Sequence, residues 1–291
     1  GILIIYIYLE FNALYNLTMK QNKIYNFRYY EKFFVIILFL VYFLIGSQIF
    51  TDYGFYVDEK FHRANGFYWL NYLSNFFGFI DLSQISQLKL KEIEDFTLPN
   101  IDNWNLYGVI FDVPAAYLEI ILNIKNPIDY YQMRHFLVFI FFFFGAIFFY
   151  LILKNRFNNK IVSIIGVTLF ILTPRIFGDS FWNNKDIIFL TFFTISLFFY
   201  FKLIDNPSIK NIILLALFSA IGTTMRLAGI FLPITLIFLY IIDKISKRNE
   251  IHLKTIIICY FSFFFFLFIF WPNVWSNLPA AIFSSLNLDM S

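Results

Sequence analysis

The feature that most constrains this chain is a series of long apolar runs separated by polar segments. A helix needs about 20 apolar residues to cross the hydrocarbon layer of a bilayer. Backbone groups within lipid must be satisfied inside the segment, so such runs form helices. Seven runs are present, at 33–50, 133–153, 161–173, 187–204, 211–224, 227–242 and 255–271. The sequence therefore predicts an all-α polytopic membrane protein with about seven transmembrane helices.

The composition agrees with a membrane protein and limits other functions. Hydrophobic residues make up 60% of the 291 positions. The mean hydropathy of +0.70 lies far above that of a soluble domain. The formal net charge of +3 is small, so the charge balance does not indicate nucleic-acid binding. The single cysteine, Cys259, lies inside the last apolar run and has no second cysteine to pair with.

Two apolar runs and one long connecting segment depart from a simple helical bundle. The runs at 161–173 and 211–224 are shorter than a straight span requires, which predicts broken or partly buried helices. The segment 51–132 is rich in acidic residues but contains apolar stretches near 61–80 and 106–124. Apolar residues recur there at helical spacing. This pattern predicts amphipathic helices on the membrane surface, with a loop between them.

The distribution of basic residues predicts the orientation in the membrane. Lysine and arginine are concentrated in the N-terminal segment and in the loops 154–160 and 243–254, which are alternate connections between runs. Because loops rich in these residues stay in the cytoplasm, the segment 51–132 is predicted on the opposite face. The polar segment 174–186 is predicted on that same non-cytoplasmic face.

Charged side chains gather on this predicted non-cytoplasmic face. Asp58 and His62 are four residues apart, so they share one face of a helix. Glu59 and Arg63 form a second pair with the same spacing. Other charged groups lie where later runs begin or end. The candidate site residues are Asp58, Glu59, His62, Arg134, His135, Arg175, Lys185, Asp186 and Arg226.

Each of these residues has a simpler explanation when it is taken alone. Asp58 and His62 can form an ordinary salt bridge in a solvated loop. An arginine at the end of a span usually extends its charge to the interface, and an aspartate in a first helical turn usually stabilises the helix dipole. Carboxylates and arginines together on one face, however, suit an anionic, lipid-linked substrate. Arginine binds phosphate, and a carboxylate acts as a base or binds a divalent metal.

Several segments, in order along the chain, resemble one group of enzymes. The segment Tyr56–His62, with its Asp-Glu pair, resembles the signature in the first external loop of GT-C glycosyltransferases. The segment Thr173–Asp186 resembles the second-loop motif of that superfamily. Four more segments are similar to bacterial members of the protein O-mannosyltransferase and aminoarabinose transferase group: Tyr107–Pro114, Met133–His135, Met225–Gly229 and Trp271–Trp275.

The resemblance implies an inverting glycosyltransferase that uses a polyprenyl-phosphate-linked sugar as its donor. Asp58 is then the expected catalytic base, with Glu59 beside it. Arg175 and Arg226 are expected to bind the donor phosphate, and Asp186 is expected to support the site. The remaining substrate-binding candidates are His62, Arg134, His135 and Lys185.

The resemblance also suggests cofactors and partners. A divalent metal ion is the one cofactor that it leaves open, and Asp58 and Asp186 are the candidate ligands. The expected partners are the lipid-linked donor, a lipid, glycan or protein acceptor, and membrane lipids. The expected location is a bacterial inner membrane, with the active site on the periplasmic or extracellular side.

The same comparison divides the chain into three parts. Residues 1–32 are predicted to be an N-terminal cytoplasmic or non-native leader, because the first methionine is Met19. Residues 33–275 are predicted to form the catalytic transmembrane module, including the external loop 51–132. Residues 276–291 are predicted to begin a further external segment, since the GT-C enzymes continue through more spans.

Two other classes of function fit part of the sequence. A transporter or flippase of lipid-linked glycans would also need basic residues beside a membrane cavity. That function predicts charges within the spans, however, and the seven apolar runs are almost uncharged. A non-catalytic scaffold would not need acids and arginines gathered on one face.

Overall fold

The structure is a computed structural model that describes residues 27–94, 108–247 and 251–275. These residues contain eleven α-helices and three short 3-10 turns, without any strand. Contacts divide the chain into two units, residues 1–42 and 43–291. The loop predicted between the two external helices falls outside the described residues, as does the predicted C-terminal external segment.

The helices carry the labels α1 to α11 in chain order. They are α1 (Phe27–Ile49), α2 (Val57–Phe77), α3 (Ile80–Glu94), α4 (Asp112–Ile121), α5 (Pro127–Phe157), α6 (Lys160–Leu172), α7 (Pro174–Asp179), α8 (Asp186–Asp205), α9 (Ile209–Met225), α10 (Phe231–Ile245) and α11 (Leu253–Phe270). In the described part of the chain, five segments are long and apolar enough to cross a membrane, and they contain α1, α5, α8, α10 and α11. Helices α6 and α9 are apolar but shorter. The predicted all-α polytopic membrane protein is confirmed, and the two short apolar runs form the two short helices.

The first unit is described from residue 27 to residue 42, within helix α1. Large apolar side chains are exposed along this stretch, among them Phe33, Ile36 and Leu40. A helix in water would bury such side chains. Their exposure along one broad face of the helix is what contact with lipid requires.

In the second unit, a buried apolar cluster joins helices α8 to α11. Leu215 and Ala216 of α9 lie at its centre, and Tyr200 of α8, Leu236 of α10 and Phe263 of α11 pack around them. All five side chains are buried. Helix α9 is therefore enclosed by its neighbours, which explains how so short a helix can be stable within a bundle.

Small and hydroxyl-bearing residues let the long helices approach one another closely. Gly145 of α5 faces Thr191 of α8, where an added Cβ would lie 3.1–3.4 Å from the threonine. The Thr191 hydroxyl donates to the carbonyl of Phe141 at 3.2 Å. The hydroxyls of Ser196 on α8 and Ser219 on α9 hydrogen-bond to each other. In lipid, close packing and such hydrogen bonds are what hold helices together.

The external segment folds into helices α2, α3 and α4. Helix α2 ends at Phe77 because Gly78 takes a left-handed conformation with φ of 80°, which glycine adopts at little cost. The apolar helix predicted near 61–80 therefore ends at Phe77, and Ile80 begins α3. Phe67 and Leu70 of α2 are buried in a cluster shared with α3 and α4. The position of these helices on the membrane surface stays a prediction.

This segment is attached to one end of the bundle in the second unit. The amide of Gly108 donates to the carbonyl of Thr224 at the end of α9, at 2.9 Å. The amide of Val109 donates to the carbonyl of Phe270 at the end of α11, at 3.3 Å. The chain that enters α4 is thus fixed to the same end of the bundle where α9 and α11 finish.

Gly66 is required where α2 packs against α4. An added Cβ there would overlap the carbonyl group of Asp112 and lie 3.2 Å from the Cβ of Ala116. We expect Gly66→Ala to lower the free energy of unfolding by about 1–3 kcal/mol, because the obstructing atoms belong to the backbone. Thermal unfolding of the purified protein in detergent measures the change.

Gly178→Ala is the matched control, since Gly178 also lies in a helix and an added Cβ there meets nothing within 4 Å. Equal losses of stability in the two variants would contradict the steric explanation.

Candidate functional site

The acidic pair lies in the first turn of helix α2. Oε2 of Glu59 accepts a hydrogen bond from the amide of Tyr56 at 2.9 Å, which caps the helix. The two carboxylates then differ sharply in environment: Asp58 is exposed, whereas Glu59 is only 3% exposed. Among the described residues, Asp58 has no hydrogen-bond or ion-pair partner. Its carboxylate is therefore accessible to a substrate.

Glu59 connects α2 to α5 through a histidine. Its Oε1 accepts a hydrogen bond from Nε2 of His135 at 2.7 Å, and both side chains are buried. The expected local pairs, Asp58 with His62 and Glu59 with Arg63, are not formed. Glu59, His62 and Arg63 instead have partners on other helices.

Asp112, the first residue of α4, joins two parts of the site. Its Oδ2 lies 3.1 Å from Nδ1 of His62 and accepts from Nδ2 of Asn65 at 2.7 Å. Its Oδ1 accepts from Nδ2 of Asn184 at 3.5 Å. The first two partners belong to α2, and Asn184 lies two residues before Asp186. Asp112 was not predicted as a site residue, although it lies in one of the segments that resemble GT-C enzymes.

A second buried ion pair lies beside this group. The Nε and Nη2 atoms of Arg63 donate to both carboxylate oxygens of Glu119 over 2.7–3.2 Å. The guanidinium also lies 3.8 Å from the centre of the Tyr130 ring, which is a cation–π contact. Burial on its own lowers the pKa of Arg63, but the hydrogen bonds and the charge of Glu119 outweigh it and raise that pKa above its ordinary value.

Arg134 is enclosed next to these pairs. Its side chain is 2% exposed, and its three guanidinium nitrogens have no hydrogen-bond partner in the described part of the chain. The negative charges of Asp112 and Glu119 are close enough to act on it. Three buried acids, Glu59, Asp112 and Glu119, thus lie beside two buried arginines and two buried histidines. The substrate-binding role of Arg134 stays a prediction.

A second charged group lies where α8 begins. Oδ1 of Asp186 lies 2.6 Å from Nη2 of Arg226 and accepts from its Nε at 2.8 Å. The side chain of Asn183 accepts from the amide of Asp186 at 2.9 Å, which fixes the start of the helix. The side chains of Asp186 and Arg226 are 46% and 32% exposed. The acidic partner of Arg226 thus lies 40 residues away in the sequence, at the start of α8.

Among the described residues, Arg175 stands apart from these pairs. The side chain of Arg175 is 88% exposed, and Asp179, at 3.6 Å, is its ion-pair partner. Lys185 is partly buried and directly precedes helix α8. The structure does not bring Arg175 into contact with the other candidate residues among those it describes.

Aromatic contacts hold the two charged regions at the same end of the bundle. Tyr53 stacks on Phe181, with ring centres 4.6 Å apart. The ring of Tyr56 lies 4.4 Å from that of Trp182 and is tilted by 40° to it. The start of α2 therefore packs against the segment that leads from α7 to α8, so that the regions around Asp58 and Asp186 are neighbours.

The structure also bears on the proposed metal. Within residues 27–94, 108–247 and 251–275, no group of three His, Cys, Asp or Glu side chains is arranged to hold a metal ion. Asp58 and Asp186 as metal ligands therefore stay a prediction.

Comparison with known proteins adds one finding. Residues 116–275 match the family described as dolichyl-phosphate-mannose-protein mannosyltransferase. The matched range includes α5 to α11, with Arg134, Asp186 and Arg226, and begins after the external acidic pair. No curated protein and no solved structure matches the chain.

The Arg63–Glu119 pair gives a prediction about stability. Glu119→Gln leaves the buried Arg63 without a balancing charge, so we expect a loss of about 3–5 kcal/mol in the free energy of unfolding. Chemical unfolding in detergent measures it. Glu92→Gln is the control: this glutamate is exposed, pairs with Lys89 at 3.2 Å and reaches Arg63 only at 3.9 Å, so about 0–1 kcal/mol is expected. Similar losses in the two variants would argue against a decisive role for burial.

Proposed function

The chain belongs to the dolichyl-phosphate-mannose-protein mannosyltransferase family of GT-C membrane glycosyltransferases, and we propose that it transfers a sugar from a polyprenyl-phosphate-linked donor to a lipid, glycan or protein acceptor. One observation carries this proposal. Asp112 bonds both to the helix that presents Asp58 and to Asn184, next to the Asp186–Arg226 pair. An accessible carboxylate and an accessible arginine are thereby held at the same end of the bundle.

In the proposed mechanism, Asp58 acts as the general base. It removes the proton from an acceptor hydroxyl while that oxygen attacks the anomeric carbon of the donor sugar. The bond from the anomeric carbon to the phosphate oxygen breaks, and its electron pair leaves with the lipid phosphate, so the configuration inverts. Asp58 suits this role because it is exposed, whereas Glu59 is engaged by His135. General-base catalysis contributes about 10²–10⁴-fold.

Arg226 is proposed to bind the donor phosphate, with Asp186 orienting its guanidinium. Arginine binds phosphate through charge-assisted hydrogen bonds in a planar fork, and the partial exposure of Arg226 leaves it within reach of a ligand. Arg175 and Lys185 are proposed to add positive charge nearby. Charge that grows on the departing phosphate is then stabilised by groups already in place.

We assign this end of the bundle to the non-cytoplasmic face of a bacterial inner membrane. The connection from α5 to α6 carries Lys154, Arg156 and Lys160, and Lys244 and Lys247 follow near the end of α10. Both connections lie at the end of the bundle opposite to α2, α3 and α4. Basic connections of this kind stay in the cytoplasm, which supports a site on the periplasmic or extracellular side.

Replacing the proposed base tests the catalytic assignment. We expect Asp58→Asn to reduce turnover by about 10²–10⁴-fold without changing the unfolding temperature, because Asp58 is exposed. Transfer from a polyprenyl-phosphate sugar by the full-length enzyme in nanodiscs measures it. Asp52→Asn, at an exposed acid just before α2, is the control and should keep normal turnover. Near-normal turnover in Asp58→Asn would exclude Asp58 as the base.

The donor site is tested at Arg226. Arg226→Gln should weaken donor binding about 10- to 100-fold, since a hydrogen bond to a charged group contributes about 1.5–3 kcal/mol. Arg226→Lys should restore only part of the affinity, because lysine cannot form the planar fork. Titration with the polyprenyl-phosphate sugar in nanodiscs measures the affinity.

Asp186→Asn separates donor binding from pairing within the protein. This change removes the negative charge beside Arg226 and keeps the arginine. If Arg226→Gln folds normally and binds the donor as tightly as the native protein, Arg226 does not bind the phosphate and acts only through its ion pair with Asp186.

A further inference from the structure

A cavity of about 580 Å³ lies beside the buried ion pairs, and the mechanism above does not use it. It is formed where the end of α1, the start of α2, the end of α3 and the start of α5 meet. Its wall contains four aromatic side chains, Tyr53, Phe55, Tyr130 and Tyr131. None of the side chains assigned above to the donor phosphate lines it.

The charges around this cavity largely compensate one another. Lys60 and Glu92 line it and carry opposite charges. Arg63 also lines it, but its guanidinium is bonded to both oxygens of the Glu119 carboxylate. A site without excess positive charge does not concentrate phosphate. The cavity therefore favours a neutral ligand over the anionic headgroup of the donor.

The wall combines ring faces with hydrogen-bonding groups. The rings of Phe55 and Tyr131 are 4.6 Å apart and tilted by 53°, and Thr51, Gln132 and His135 also line the cavity. A hydrocarbon chain in this space would leave the amide of Gln132 without a partner, at a cost in free energy, whereas the Thr51 hydroxyl already donates to the carbonyl of Gln48. A pyranose ring offers C–H groups to the aromatic faces and hydroxyls to the polar groups.

We propose that this cavity binds a neutral sugar residue of the acceptor. The proposal rests on the proposed function and narrows the acceptor to a molecule that carries a glycan. Asp58 and Lys60 are two residues apart on α2, so they project about 200° from each other. The sugar bound in the cavity therefore lies away from Asp58. It is a different part of the acceptor from the one that carries the attacking hydroxyl.

Direct binding tests this inference without relying on transfer. Full-length protein in phosphatidylcholine nanodiscs is titrated with the methyl glycosides of mannose, glucose and N-acetylglucosamine, and binding is followed by saturation-transfer NMR. Phe55→Ala removes one aromatic face, and Thr51→Trp fills the cavity. We expect either change to weaken binding of at least one glycoside by about three- to tenfold, the contribution of one aromatic contact.

Tyr117→Ala is the matched control, because Tyr117 is 45% exposed, close to the 48% of Phe55, and lies outside the cavity. Binding in this variant should equal that of the native protein. Absence of glycoside binding, or equal weakening in all three variants, would overturn the proposal. Loss of a co-purified phospholipid in Thr51→Trp, seen by native mass spectrometry, would overturn it as well and assign the cavity to lipid.

The outcome is separable from that of the proposed function. If glycoside binding depends on the cavity while no polyprenyl-phosphate sugar is consumed, the sugar site stands and the transferase proposal fails. If transfer proceeds with the same acceptor KM in Phe55→Ala and in the native protein, the transferase proposal stands and the cavity proposal fails.

Discussion

A buried carboxylate needs a partner, and this requirement determines how the external segment is attached to the membrane helices. Glu59 is bonded to His135 of α5, and Glu119 of α4 is bonded to Arg63 of α2. Asp112 bonds to α2 and to the segment before α8. Separating any of these elements would leave a charge buried without its counterpart, which costs several kcal/mol. Helices α2 and α4 are thereby held in a fixed position over the end of the bundle, and α3 packs against them through the shared apolar cluster.

The same requirement separates the roles proposed for two adjacent acids. Neighbouring residues on a helix point in different directions, so Glu59 enters the protein while Asp58 faces outward. Glu59 bonds to the amide of Tyr56 at the helix cap and to His135. These two contacts hold the first turn of the helix in place. A base at position 58 would then be positioned by its neighbour without being blocked by it. A transporter of lipid-linked glycans is expected to carry charges within its spans. Here the charges lie in the external segment and at helix ends, which suits that function less well.

Local patterns predicted the helices well and the ion pairs poorly. All seven apolar runs form helices, but α5 begins at Pro127, six residues before the predicted start, because Asn126 caps it and proline suits a first turn. Spacing of four residues suggested that Glu59 would pair with Arg63. Each instead bonds to a residue more than 50 positions away. Spacing rules describe neighbours on one helix, and burial between helices overrides them. Asp112 had no local signal beyond its place before a proline in an apolar segment.

The exposure of an ion pair decides whether a ligand can use it. Arg63 and Glu119 are enclosed. Releasing the arginine to a ligand would therefore leave the Glu119 carboxylate buried without its counter-charge, at a large cost in free energy. Arg226 and Asp186 are partly exposed, and an exposed pair contributes only about 0–1 kcal/mol. In the mechanism proposed above, a lipid phosphate takes the place of the Asp186 carboxylate, or shares the arginine with it, at little cost to stability. Asn183 accepts from the amide of Asp186, and this contact favours an aspartate that keeps its position and pairs with Arg226 again when the phosphate leaves.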